Sequence, residues 1–187
     1  MTHIAENDLA PALETVAWIN TPGPLTLSEL TGKVVVIHAF QMLCPGCVSL
    51  GIPQASTIHE LYAKEAVQVI GLHTVFEHHD VMTLDALKVF ASEYRITFPI
   101  AMDTPSEQGP IPKTMASYQM RGTPTLIVLD KQGRIRLNHF GRISDMQVGS
   151  LIGSLLAESS NLPISGENDE TPEHRGPGAC GDDICSI

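Results

Sequence analysis

Apolar positions along the chain alternate between short β-branched runs and longer helical spacings from residue 34 onward. Val34-Val-Val-Ile37 follows Gly32 and continues into His38-Ala39-Phe40, the pattern of a buried strand. From Cys47 to Lys64 the spacing is helical, with Leu50, Ile58, Leu61 and Tyr62 among the apolar positions. Val67-Gln-Val-Ile-Gly-Leu72 predicts the next strand. Thr83 is placed to cap a helix that carries Leu84, Leu87, Phe90, Ala91 and Tyr94 on one face, with Asp85 and Lys88 off it. Phe98-Pro-Ile-Ala-Met102 reads as a short extended piece, and Ile111 to Tyr118 as a short helix. Thr125-Leu-Ile-Val-Leu129 and Ile135-Arg-Leu-Asn-His-Phe140 predict two strands joined by the turn sequence Asp130-Lys-Gln-Gly133. Met146 to Leu156 is a last amphipathic helix, and no segment repeats. A β-α-β arrangement followed by a hairpin and a helix implies an α/β fold, a central mixed β-sheet flanked by helices.

Composition bounds this picture. The 187 residues, 43% hydrophobic and 17% charged, suit one globular domain, or one domain with a tail. A chain of this size buries roughly 70% of the surface it exposes when unfolded, so it needs no disulfide framework or metal to hold a core. Eleven Lys and Arg against 21 Asp and Glu leave a formal charge of −10, which argues against general nucleic-acid binding. The sequence lacks the run of about 18 apolar residues that a membrane-spanning helix needs. Its start, Met-Thr-His-Ile-Ala-Glu-Asn-Asp, does not read as a secretory signal, so the expected location is cytoplasmic.

Charge divides the chain into an expected domain over residues 1–157 and an acidic tail over residues 158–187. The tail holds seven acids, one arginine, Pro163, Pro172, Pro177 and four glycines, but no aromatic residue. Such a segment buries too little apolar surface to offset chain entropy and reads as flexible. It nevertheless ends in Cys180-Gly-Asp-Asp-Ile-Cys185-Ser-Ile.

The strongest chemical signal is Cys44-Pro45-Gly46-Cys47, set between a buried strand and a helix. A βα loop delivers side chains to the carboxyl edge of a sheet. Two cysteines at this spacing can close a disulfide. At a helix start the first also lies near unpaired N–H groups and the positive end of the helix dipole, which favour the thiolate that attacks disulfides. Pro45 is tolerated in a first turn, where its missing N–H would be unpaired anyway. The competing reading is half of a zinc site. It needs a second close ligand pair, and the other cysteines, Cys180 and Cys185, lie far along the tail.

Together with Thr123-Pro124-Thr125 and the hairpin after it, the segment from Val34 to Cys47 resembles the thioredoxin superfamily. The nearer likeness is to TlpA-like thiol–disulfide oxidoreductases, over most of residues 13–157. Leu25-Thr-Leu-Ser-Glu-Leu30-Thr-Gly-Lys-Val34 and Arg121-Gly-Thr-Pro-Thr-Leu-Ile-Val-Leu-Asp-Lys-Gln-Gly133 support it. The resemblance implies a thioredoxin-like fold, with Thr74 to Phe98 as a helix-bearing insertion that shapes the substrate surface. It implies a cis peptide between Thr123 and Pro124 facing the cysteines, with Thr123, Pro124, Pro45 and Gly46 against the substrate. X–Pro is the one setting in which cis bonds are common; the alternative for Pro124 is an ordinary strand-initiating proline.

Some positions depart from that pattern. Leu43 stands where thioredoxins carry Trp, and Pro-Gly reverses their Gly-Pro. His38 stands where they carry a buried acid, beneath the cysteine pair. An imidazole there can relay the proton of Cys47; otherwise His38 is a buried histidine bonded to a carbonyl. The run His73-Thr-Val-Phe-Glu-His78-His79-Asp80 offers possible metal ligands, although adjacent loop histidines are more often solvated or cap a helix. An arm of about twenty-five coil residues spans roughly 25–30 Å, so Cys180 and Cys185 can serve as a redox relay to Cys44. They can also pair locally, capture a metal or have no role.

These features rank a thiol–disulfide oxidoreductase first, with Cys44 as nucleophile and Cys47 as resolving thiol, acting on a disulfide-bearing protein or a small thiol. A peroxiredoxin-like peroxidase with antioxidant activity is the alternative. Gln41 occupies the place of its usual Thr or Ser, and Arg121 is the nearest candidate to polarise peroxide. A non-catalytic thioredoxin-fold binding module is the third reading. No flavin or nicotinamide fingerprint is present, so no cofactor is expected and electrons come from a separate, unidentified reductase, thioredoxin reductase or glutathione being candidates. No metal, nucleic-acid or membrane partner is expected.

Overall fold

The computed structural model describes residues 7–158. Six strands form one sheet in the order β1-β4-β3-β2-β5-β6: β1 (Thr15–Ile19), β2 (Val34–Phe40), β3 (Val67–His73), β4 (Ile100–Asp103), β5 (Thr125–Leu129) and β6 (Ile135–Phe140). The helices are α1 (Ile52–Leu61), α2 (Leu84–Glu93), α3 (Lys113–Ser117) and α4 (Asp145–Ala157), and a π-helical turn, Cys47–Gly51, leads into α1. The expected mixed sheet is present: β2, β3 and β4 run parallel, while β1, β5 and β6 are antiparallel to their neighbours. Parallel central strands buried on both faces read as unbroken apolar runs, and every residue of β2 is buried.

The sheet separates two cores. On one face Val34, Val36 and Phe40 pack with Ile52, Ala55 and Ile58 of α1, Leu87 and Ala91 of α2, and Val148, Ile152 and Leu155 of α4. On the other, Val35, Ile37, Ile70, Leu72 and Ile127 meet Met115, Tyr118 and the segment before β2 that includes Leu30. Thr83 caps α2 as expected, its side chain accepting from Ala86 N–H.

Three details differ from the sequence reading. Strand β1 was not foreseen; it is half-exposed and gains its place by pairing with β4 at the sheet edge. The helix after Cys47 is not uniform, because Ile52 N–H bonds to Cys47 C=O across five residues. Pro53 follows at once, and a proline deprives the residue four back of a donor, so the wide turn sits where the α-ladder would break. Leu50 and Leu61, expected on the apolar face, are exposed.

After α4, the two terminal nitrogens of the Arg136 guanidinium donate to the Glu158 carboxylate, at 2.8 and 2.9 Å. Cys180 and Cys185, and the flexible tail expected around them, lie outside the described residues.

Candidate active site

Topology gathers the candidate residues at one sheet edge. The loop carrying Cys44 leaves the carboxyl end of β2. Because β5 is antiparallel to β2, with Ala39 opposite Thr125, the residues before β5 return to that same end. Phe40 pairs with His73, which brings the loop after β3 alongside. Phe140 pairs with Thr125, which adds the loop after β6.

Cys44 and Cys47 are joined as a disulfide, with Cα atoms 5.2 Å apart. They are unequal: Cys44 is half-buried, whereas Cys47 is fully buried in the core. Helical backbone begins at Pro45, so Cys44 sits at the N-terminal end, where orphan N–H groups and the helix dipole favour negative charge. Cys47 N–H points at Cys44 Sγ, 3.2 Å away. The Thr123 carbonyl oxygen lies 3.6 Å from the same sulfur. The Thr123–Pro124 peptide is cis, as the family resemblance implied. The Pro124 ring faces Gly46, where a Cβ would stand 3.5 Å from Pro124 Cδ. Cys44, Cys47, Pro45, Gly46, Thr123 and Pro124 thus form one constellation.

His38 lies on the same strand face as Phe40, its ring stacked parallel at 6.0 Å between centroids. It is 2% exposed, and its Nε2 has no hydrogen-bond partner among the described residues. The expectation of a carbonyl partner is therefore not met at Nε2. Burial in hydrocarbon pushes the imidazole down to about 4, so it is neutral at physiological pH. Gly51 of the π turn covers the ring; a Cβ there would overlap its Cε1–Nε2 edge. Nothing in the sequence near residue 51 announces this packing.

The histidine-rich run is divided by the fold. His73 is buried against Phe40 with both ring nitrogens unpartnered among the described residues, and burial lowers it to about 4. His78 and His79 are exposed on the following loop. The run is therefore not brought together as a ligand set. Gln41 is buried and ties that loop to the site, donating to Glu77 and accepting from Phe76 N–H, both at 3.3 Å. Arg121 lies over the Phe140 ring, 5.4 Å from its centroid.

Sequence reasoning missed the loop after β6. There Arg142, Ser144 and Asp145, with Gln54 and Gly51 opposite, border a cleft of about 400 Å³ whose lining includes His38 and Pro124. Gln54 Nε2 bridges the two sides, donating to Ile143 C=O at 3.0 Å and to Asp145 Oδ1 at 2.6 Å. One usable signal was present: Ser144-x-x-Gln147 is a capping box, and its reciprocal bonds start α4 at this edge.

Residues 5–148 match the family described as Redoxin. A crystal structure of a thioredoxin-like superfamily protein is 51% identical with a TM-score of 0.80, over 83% of this chain and 99% of that one. A thiol-disulfide isomerase from Corynebacterium glutamicum is 52% identical with a TM-score of 0.78, over 82% of this chain and 98% of that one. Protein DipZ of Mycobacterium bovis is 29% identical over 80% of this chain but 21% of its own length, so the chain spans about a fifth of that relative. The family match runs through all six strands and the Cys44–Cys47 turn, and the chain accordingly belongs to the Redoxin family, among the thiol–disulfide oxidoreductases of the thioredoxin superfamily.

Proposed function

We propose that the chain exchanges disulfides with a disulfide-bearing protein or small thiol, using Cys44 as nucleophile and Cys47 as resolving thiol. The observation that carries this is the unequal burial of the two sulfurs: a partner can meet Cys44, while Cys47 is reached only from Cys44. In the reduced protein the Cys44 thiolate, favoured by the helix start and by Cys47 N–H, attacks a partner disulfide and expels one partner sulfur as thiolate. The mixed disulfide forms beside Thr123 and Pro124. Cys47 then loses its proton and attacks Cys44 Sγ, which closes the Cys44–Cys47 bond and releases the second partner thiolate. Two electrons pass to the partner, and the sequence runs backwards when a reductant opens the disulfide.

His38 is the candidate carrier for the Cys47 proton. Its buried neutral ring, with Nε2 uncommitted, can receive a proton at one nitrogen and release one at the other. An unchanged Cys47 thiol pKa and an unchanged reduction potential in His38→Asn would remove it from that role.

Trapping tests the main reading. Cys47→Ser should accumulate a mixed disulfide through Cys44, and Cys44→Ser should form none and lose at least about a hundredfold in protein-disulfide reduction, in line with removal of a covalent nucleophile. Assaying peroxide consumption beside disulfide reduction separates the peroxidase alternative: fast peroxide turnover with no disulfide exchange would reverse the assignment.

A further inference from the structure

Cys180 and Cys185 take no part in the site described above, and what they can reach follows from where their segment attaches. Ser144 and Asp145 start α4 at the cleft that Pro124 also lines. The 13 residues of α4 carry the chain about 20 Å away from that edge. Its far end is held by Lys131, in the turn between β5 and β6, which donates to the Leu156 and Glu158 carbonyls at 2.7 and 2.9 Å. Cys180 follows Glu158 by 22 positions. A coil of that length spans about 23–28 Å, so its reach matches the way back along α4 to Cys44. Effective concentration is greatest at such a match, in the millimolar range for short linkers.

Charge complements reach. Residues 159–187 carry six acids, with Asp182 and Asp183 between the two cysteines, and one base, Arg175. At the disulfide, two exposed arginines flank Pro124. Arg121 lies two positions before Thr123, whose carbonyl oxygen is 3.6 Å from Cys44 Sγ, and Arg142 lines the cleft with Pro124. Neither arginine enters an ion pair among the described residues, and Asp145, the acid nearest Arg142 in the chain, is engaged by Gln54. Cys44 is half-buried, so an incoming thiol can meet it. When either tail sulfur stands at Cys44, Asp182 and Asp183 lie within three residues of it, at most about 11 Å of extended chain.

We infer that the Cys180/Cys185 pair is an internal redox partner of the Cys44–Cys47 disulfide, guided to it by Asp182 and Asp183 at Arg121 and Arg142. This adds a partner to the site proposed above and rests on Cys44 being its reactive sulfur. In the reaction one tail cysteine, its proton given to water, attacks Cys44 Sγ; the Cys44–Cys47 bond breaks, and Cys47 leaves as thiolate and takes up a proton. The other tail cysteine loses its proton to water and attacks the tail sulfur of the mixed disulfide. This closes Cys180–Cys185 and frees Cys44 as the thiolate that meets a partner disulfide. The tail dithiol is oxidised, the Cys44–Cys47 disulfide is reduced, and an external dithiol reopens the tail. Charge sets this direction: the helix start makes Cys44 the better leaving group, while the neighbouring carboxylates disfavour thiolates on the tail.

Full-length Cys47→Ser/Cys185→Ser and Cys47→Ser/Cys180→Ser each leave one tail thiol with Cys44. In a glutathione redox buffer at least one of them should form a disulfide between Cys44 and its tail cysteine within the monomeric chain, mapped by mass spectrometry, at an effective concentration above about 0.1 mM. Adding Arg121→Gln/Arg142→Gln should lower that value about threefold, and so should raising NaCl to about 0.5 M. The matching Cys47→Ala chains give the same readout without a buried hydroxyl. Wild type needs no cysteine change: its Asp182 and Asp183 amide NMR signals should move when Arg121→Gln/Arg142→Gln is introduced. Disulfides formed only between two chains, an effective concentration below about 0.1 mM, or indifference to the arginines in both measurements would overturn the inference. If Cys47→Ser then still traps a mixed disulfide with insulin through Cys44, the function above stands without the tail. If Cys44 bonds to neither the tail nor insulin, both fall.

Discussion

At the scale of single residues, Gly51 shows how a buried imidazole is accommodated. The His38 ring occupies the space where a side chain at 51 would project. A methyl group there must displace either a buried ring or the helix that carries Cys47. Overpacking of this kind costs about 1–3 kcal/mol, so Gly51→Ala should lower the urea midpoint of the oxidised protein accordingly. A loss under about 0.5 kcal/mol, within the range of an ordinary surface substitution, would show that the ring and turn move apart freely. The contrast with Gly46 is informative, since a Cβ there stands at ordinary van der Waals distance from Pro124. The two glycines flanking Cys47 therefore differ: one is required by packing against His38, while the other has room.

Among the elements, α4 has the clearest local logic. Ser144 accepts from Gln147 N–H, and the Gln147 side chain accepts from Ser144 N–H, so two of the donors left over at a helix start are satisfied reciprocally. Asp145 in the first turn complements the helix dipole. Removing the cap by Ser144→Ala should cost about 1 kcal/mol in denaturant unfolding, and Ser144→Asp should restore most of it. Faster amide exchange at Gln147 in the alanine variant would locate the loss; an unchanged exchange rate would place the stability of this end in the packing of Val148 instead. The π turn follows a different logic. It spans the stretch between Cys47 and Pro53, so the same widened backbone that tolerates a proline also sets the approach of Gly51 to β2.

For the whole molecule, the two buried histidines couple stability to acidity. His38 and His73 each flank the Phe40 ring, and each is held down to about 4 by burial from an ordinary value of 6.5. The folded pKa lies below the unfolded one, so below pH 6.5 the unfolded chain takes up protons that the folded chain refuses. Stability is intact above that pH and falls as pH drops toward 4. Each histidine contributes up to about 3 kcal/mol of that loss. Asp103 works in the opposite direction, because burial raises it and it binds a proton earlier in the folded state. Comparing wild type with His73→Leu isolates one histidine: the variant should match or exceed wild-type stability at pH 7.5, since two unpartnered nitrogens are removed, and should lose less on acidification. Parallel stability–pH curves for the two proteins would exclude His73 as a source.

The sequence alone determined the mixed α/β sheet and the Cys44–Cys47 turn at the end of β2, because apolar period, β-branching and a motif at a strand–helix junction are local properties; the cis Thr123–Pro124 peptide was legible only through the family resemblance. It also located the caps at Thr83 and, unread, at Ser144. The edge strand β1 was not legible, since a half-exposed five-residue strand carries little pattern of its own and is held by the partner β4. Nor was the fate of the histidines. His73, His78 and His79 lie close along the chain, but the end of β3 buries the first and leaves the others in a loop. Only the tertiary structure made the two sulfurs unequal, placed Gly51 on His38, and brought Arg142 and Asp145 across a cleft from Gln54, about ninety positions earlier in the chain. Burial and long-range proximity depend on how strands are ordered in the sheet, and no short window of sequence encodes that order.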